Sequence, residues 1–201
     1  MRFGPGPHLK GLKLMDGIVA PEQFDFFHES ILTYELGRLG TRSYFDGLLA
    51  GGVIGLPPIL NYGSPEIKAK IIPEVFQAKK FICLAITEAF AGSDVSGLQT
   101  CAEVVTDADG KKWWEVTGTK KWITNGTYAD YFTTGVRTGE KGLTVIVIPR
   151  GEGVGTKAIK TSYSATAGTA YVTFDRVRVP IENTLGEVGK GMKVILQNFN
   201  Q

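Results

Sequence analysis

The hydrophobic period of this chain changes near Phe81, and that change constrains the fold more than any single motif. Before it, apolar residues recur at helical spacing. After it, they alternate with polar ones, as in strands buried on one face. Pro21 suits a first helical position, followed by the stripe Phe24, Phe27, Ile31, Tyr34 and Leu36, with Glu29 and Glu35 off it. Gly37 and Gly40 are expected to end that helix. Ser43 to Ile54 is a second helix candidate that carries Gly47, Gly51 and Gly52. A helical Gly costs up to about 1 kcal/mol against Ala, so close packing is the expected compensation. Ser64-Pro65-Glu66 reads as a helix start, and Pro73 as a break followed by a short last helix.

Beyond Phe81, Ala102-Glu-Val-Val-Thr106 and Lys112-Trp-Trp-Glu-Val-Thr117 flank Asp107-Ala-Asp-Gly110, a hairpin signal. Tyr131-Phe-Thr-Thr134, Leu143-Thr-Val-Ile-Val-Ile148 and Thr169-Ala-Tyr-Val-Thr-Phe174 are further strands. Trp113 and Trp114 are adjacent and face opposite sides of their strand, so at most one is core. Helices followed by short strands with regular turns give an α+β chain: an all-helical N-terminal portion, then an antiparallel barrel or sandwich. Lys190 to Asn200 starts a last helix, with Met192, Val194, Ile195, Leu196 and Phe199 on an apolar face that nothing downstream buries.

With 201 residues the chain can bury a sizeable core in one or two domains. A hydrophobic share of 43% against 21% charged residues fits a globular chain, not a disordered one. A net charge of +2 is too balanced to imply nucleic acid or an anionic membrane as a partner. Gly and Pro break every apolar run, so no membrane span is expected. Cys83 and Cys101 suggest neither a disulfide framework nor a metal site, and His8 and His28 make no zinc set. The Gly- and Pro-rich start, Met1-Arg-Phe-Gly-Pro-Gly-Pro, has no signal core or transit pattern.

Two segments carry chemistry: Ile86-Thr-Glu-Ala-Phe-Ala-Gly-Ser-Asp94 and Lys121-Trp-Ile-Thr-Asn-Gly126. Each can end a strand, and each offers small residues, hydroxyls and backbone N–H groups. The second adds an aromatic wall in Trp122. A planar cofactor with an anionic tail needs a surface to stack on, donors for its ring and a backbone cradle. Each part alone has a plainer reading. Ala91-Gly92-Ser93-Asp94 is a common polar turn, a strand Trp is often core, and Thr favours strands anyway.

Together these segments resemble the two flavin-contacting signatures of the acyl-CoA dehydrogenase family, usually Thr-Glu-Pro-x-Ala-Gly-Ser-Asp and Trp-Ile-Thr-Asn. Leu56-Pro-Pro-Ile59 and Gly63-Ser-Pro-Glu-Ile-Lys68 resemble that family's helical lead-in. Val172-Thr-Phe-Asp-Arg-Val-Arg-Val-Pro180 and Leu185-Gly-Glu-Val-Gly-Lys-Gly-Met192 resemble the end of its β domain and the entry to its last helical domain. The resemblance implies a partial N-terminal helical domain over residues 1–80, a middle β-barrel domain over 81–181 and the start of a C-terminal helical domain over 182–201. The chain is then expected to be a truncated form with little turnover alone.

The implied reaction is FAD-dependent α,β-dehydrogenation of a saturated acyl-CoA to the 2-enoyl-CoA. Carried over by motif position, Leu84, Ile86 and Thr87 lie along the flavin ring edge, and Gly92 and Ser93 approach the cofactor phosphates. Ser93 also meets the substrate's CoA side. Trp122 and Ile123 pack at the flavin and Thr124 bonds at its N5. No residue is assigned as catalytic base, which the family supplies from a later domain; Glu88 is expected to anchor its loop. Implied partners are an acyl-CoA, an unknown electron acceptor and further copies of the full-length protein. A soluble intracellular setting (cytoplasm, mitochondrion or peroxisome) is expected. Ala89 and Phe90 depart from the signature, and Tyr163-Ser-Ala-Thr-Ala-Gly-Thr169 keeps only the last Thr of the usual Gly-x-Arg-x-Ser-x-Thr. Two alternatives therefore stay open: a non-catalytic flavin- or acyl-CoA-binding module, and a flavin oxidase of another substrate such as a nitroalkane.

Overall fold

Asp25 starts the first helix: its carboxylate accepts the amides of Phe27 and His28, each at 3.0 Å, and His28 reaches back to the Asp25 amide. In this computed structural model, which describes residues 4–139, 142–162 and 164–199, helix α1 spans Phe26–Arg38. Pro21 instead opens a separate 3-10 turn, Pro21–Gln23, because the reciprocal cap at Asp25 fixes a later start. The expected apolar stripe is also corrected. Phe24 is buried with Leu9 and Val19, while Phe27, Ile31 and Tyr34 are exposed. The contact with the N-terminal segment falls on Leu32 instead.

The next helical run is continuous where the sequence suggested interruption. It comprises α2 (Arg42–Phe45), a π-turn (Asp46–Ala50), α3 (Gly51–Gly55) and α4 (Pro57–Tyr62). By length and composition alone Arg42–Tyr62 could cross a membrane, which corrects the expectation that no apolar run reaches that length. Its glycines stay helical, and its prolines sit in the first turn of α4, where a missing N–H costs little. The run lies across strand β1, Ile82–Ala85. A Cβ on Gly51 would come within 2.6 Å of the Ile82 carbonyl oxygen, and one on Gly55 within 2.8 Å of the Cys83 carbonyl carbon. The approach is possible only without side chains there. Thr133 fastens it by donating to the Gly55 carbonyl at 2.7 Å.

Ser64 caps α5 (Pro65–Phe76), accepting the Ile67 amide at 3.3 Å. Pro73 does not break this helix: it removes one donor, yet the Gln77 amide still closes onto the Pro73 carbonyl at 3.1 Å.

The other strands are β2 (Cys101–Thr106), β3 (Lys112–Ile123), β4 (Tyr131–Thr138), β5 (Gly142–Pro149), β6 (Val154–Ala158), β7 (Ala170–Pro180) and β8 (Thr184–Leu185). They form one mainly antiparallel sheet in the order β6-β7-β3-β2-β4-β5-β8, with β1 beside β4. The α+β architecture is as expected, although the sheet is an open path and not a closed barrel. The β2–β3 hairpin turns as predicted, with the Asp107 carboxylate accepting the Asp109 and Lys111 amides. Trp114 is core, and Trp113 donates to Asp107 at the edge. Strand β5 explains why the sheet is buried on both faces. Ile146 and Ile148 enter a core with Phe132, Val136 and Phe174, while Val145 and Val147 face α4, α5 and α6 (Gly191–Phe199). The apolar side of α6 is covered in part by earlier elements: Val194 and Ile195 are buried against the sheet and Met192 packs beside them, while Leu196 is exposed.

Gly55→Ala is expected to destabilise the protein by about 1–3 kcal/mol, because the contact it meets is backbone. Gly52→Ala, which meets nothing within 4 Å, is expected to be neutral or to stabilise by up to about 1 kcal/mol. Urea unfolding of both variants measures the contrast.

Candidate functional site

Strand β4 leaves a gap along one edge, and the first motif fills it. β1 pairs in parallel with Tyr131 to Thr134, and β2 rejoins the same strand at Arg137 through Cys101. The chain between Ala85 and Cys101 therefore leaves the sheet and returns to it on one line. Beyond the hairpin, the second half of β3 has β7 on one side and this loop on the other. The Lys121 amide donates to the Thr87 carbonyl at 2.8 Å, and Thr100 Oγ1 donates to the Thr119 carbonyl at 3.1 Å. The two motifs, far apart in sequence, meet here.

A buried ion pair fixes the loop from beneath. Lys120 is fully buried, and its Nζ donates to Glu88 Oε1 at 2.6 Å and to the Ile86 carbonyl at 3.1 Å. Glu88 also accepts the Gln99 amide at 2.7 Å and the Thr100 amide at 3.0 Å. Burial alone would raise the Glu88 pKa. Hydrogen bonds from Lys120, Thr100 and Gln99 outweigh burial and hold it below the usual carboxylate value. Burial pushes Lys120 down to about 8, against the pull of Glu88. Glu88 is thus a loop anchor, with both oxygens occupied by donors.

At the end of β3 the backbone bulges. Lys120 pairs with Val172 and Ile123 with Ala170, so two residues of β3 stand opposite one of β7. Trp122 occupies the bulge at φ 64°, a conformation that costs a bulky residue energy, and the residue is 52% exposed. Lys121 Nζ sits 4.9 Å from that ring. The plain reading of Trp122 as core is thereby excluded.

The other candidate residues divide by environment. Ile86 and Ile123 are buried in the two cores, leaving only their backbone for a ligand, and Leu84 is half-buried. Gly92 and Ser93 lie exposed at the loop tip beside Phe90, which is 89% exposed. Thr87 and Thr124 are half-buried, and among the described residues neither hydroxyl has a hydrogen-bond partner.

Sequence reasoning gave no role to Lys120 or Asn125. Asn125 is buried at φ 63° and joins the bulge to the helices. Its side-chain oxygen accepts the Gly51 amide at 2.6 Å, and its amide donates to the carbonyls of Asp46 (2.8 Å) and Ala167 (2.9 Å). Tyr128 donates to the Gly47 carbonyl at 2.7 Å. The divergent segment serves the same contact: Ser164 donates to Asp46 at 2.7 Å and Thr166 to the Ser43 carbonyl at 2.5 Å. Tyr163 lies outside the described residues. The signal for Lys120 is parity. It falls on the inward register of Trp114 and Val116, where an unpaired Lys is not tolerated.

Residues 83–177 match the family model described as acyl-CoA dehydrogenase, middle domain. The acyl-CoA dehydrogenase apdG of Emericella nidulans is 44% identical over 202 residues, covering 98% of this chain and 45% of that protein. A glutaryl-coenzyme A dehydrogenase solved as its glutaryl-CoA complex superposes with a TM-score of 0.71 at 32% identity, covering 79% of this chain and 41% of that one. An acyl-CoA dehydrogenase from Bacillus anthracis, complexed with FAD, gives 0.69 at 31% identity over 77% of this chain and 26% of that one. A helical lead-in, a bulged sheet and this paired loop make a middle domain of the kind these dehydrogenases share. The chain belongs to the acyl-CoA dehydrogenase family. It spans less than half the length of the curated relatives it matches.

Removing Glu88 strands a buried ammonium, so Glu88→Ala is expected to cost about 3–5 kcal/mol in denaturant unfolding. The stability that Glu88 contributes is present above its unfolded value of 4.5 and is lost as pH falls through the lower folded value. Glu88→Gln should therefore show a flatter loss of stability below about pH 4.5 than the parent protein.

Proposed function

We propose that this chain supplies the helical lead-in and the flavin-holding β domain of an FAD-dependent acyl-CoA dehydrogenase, which oxidises a saturated acyl-CoA to the 2-enoyl-CoA. One observation carries the reading. An exposed Trp122, held on a strained bulge, stands beside two hydroxyls that have no protein partner, on segments hydrogen-bonded to each other. The indole and both hydroxyls are open to solvent, so a planar, acceptor-rich ligand can cover the one and accept from the others. These residues fit FAD in kind.

Trp122 would form the wall, and Thr87 and Thr124 would donate to the ring. The backbone of Leu84, Ile86 and Ile123 would line its edge. Gly92, with open space around it, and the exposed Ser93 at the loop tip would face the phosphates and the CoA side. FAD, when bound, supplies the hydride acceptor for the oxidation. This chain's part is to orient and to exclude water. Glu88 is unsuited to remove the α-proton, because its oxygens are already held by Lys120 and two amides. The base is supplied from outside the residues described. Similarity to a mitochondrial very long-chain specific acyl-CoA dehydrogenase of Macaca fascicularis and to the ChsE4-ChsE5 complex of Mycobacterium tuberculosis supports an intracellular and assembled full-length protein as part of the same reading.

The test is flavin retention and bleaching in the full gene product. The protein should purify with FAD and lose its absorbance near about 450 nm when a panel of acyl-CoAs is added without oxygen. Thr124→Ala should weaken FAD binding about three- to tenfold, the value of one hydrogen bond. A bound flavin that stays oxidised with every thioester would sink the acyl-CoA assignment and favour a non-CoA substrate.

A further inference from the structure

We infer that Lys120 is a positioning residue for the cofactor, acting through the Ile86 carbonyl to aim the Thr87 N–H at the ring. This rests on the FAD reading above. Both described partners of the Lys120 ammonium, Ile86 O and Glu88 Oε1, belong to the loop and not to its own strand. The peptide bonds here are trans, so the Ile86 carbonyl and the Thr87 N–H point in opposite directions. Turning that carbonyl inward onto Lys120 turns the Thr87 N–H outward. There, among the described residues, the N–H has no protein acceptor. The next residue of β3, Lys121, donates its own amide to the Thr87 carbonyl at 2.8 Å. Both peptides flanking the Thr87 α-carbon are thus set by two successive residues of β3, and the third is Trp122.

An adhesive role alone does not call for a lysine. Apolar packing would hold the loop to the strand without burying an ammonium, whose desolvation is costly. An ammonium differs from apolar packing in fixing the direction of a carbonyl. An outward N–H beside an exposed indole suits a planar ligand edged with carbonyls and ring nitrogens.

The experiment compares Lys120→Met with Val179→Ala in the full gene product. Val179 is fully buried in β7 opposite Trp114, away from the bulge, and serves as a variant of lowered stability with an intact loop. Melting temperature, FAD affinity by fluorescence titration, and the fluorescence of the bound flavin are measured for each. The expected result is a loss of FAD affinity of tenfold or more in Lys120→Met, with brighter bound flavin as its ring moves off the indole. Val179→Ala should keep the parental affinity and quenching at a comparable melting temperature. If Lys120→Met alone does not fold, the double variant Lys120→Met/Glu88→Gln replaces it, because it leaves no unpaired buried charge. Parental affinity and quenching in the folded Lys120 variant would overturn the assignment while leaving the FAD reading intact. Absence of FAD binding in the parent would overturn both.

Discussion

The salt bridge between Lys120 and Glu88 is the interaction on which the candidate site depends. Such a pair is tolerable only when every charged atom is met by a partner, since desolvation otherwise exceeds the Coulombic gain. Here the carboxylate takes donors from Lys120, Gln99 and Thr100, and the ammonium also meets the Ile86 carbonyl. The partners come from both ends of the loop and from β3. The loop therefore has one low-energy path across the gap beside β4, and a buried polar network of this kind is rigid because a half-satisfied version is costly.

A second polar hub, Asn125, ties this site to the helices. It is the residue after Thr124, and its amide reaches the π-turn at Asp46 and the start of α3 at Gly51. A π-turn exposes backbone groups that an ordinary helix keeps to itself, so the side chain completes what the helix leaves open. The glycines that bring α3 onto β1 serve the same end. Helical run, β1 and the bulged end of β3 are held as one unit, and the candidate site lies along its seam.

Much of this was legible in the sequence, for identifiable reasons. Strands with clear alternation, the Asp107 hairpin and the Ser64 cap depend on local chemistry and came out as read. The signature pair was legible through resemblance, since Thr87 or Trp122 alone is equally consistent with an ordinary strand. Errors fell where tertiary contact overrides local preference. Asp25 and His28 form a cap that outranks Pro21. Pro73 is carried inside a helix packed through Ile67 and Ile71. Val194 and Ile195 of α6 are covered by earlier parts of the chain, which a reading that looks only downstream cannot see. Lys120 and Asn125 were passed over because a polar residue near a motif reads as solvated until its partners are known.

The backbone at Trp122 has a consequence for how this domain would change under selection. A left-handed conformation favours Gly or Asn, and an exposed indole adds little to folding where it stands. On the proposed reading, stability and ligand recognition pull this position in opposite directions. In a library screened only for resistance to heat, residue 122 should drift towards glycine, and proteins gained that way would be sturdier and without the wall proposed for the flavin. Position 122 can thus report which of the two pressures has shaped a given variant.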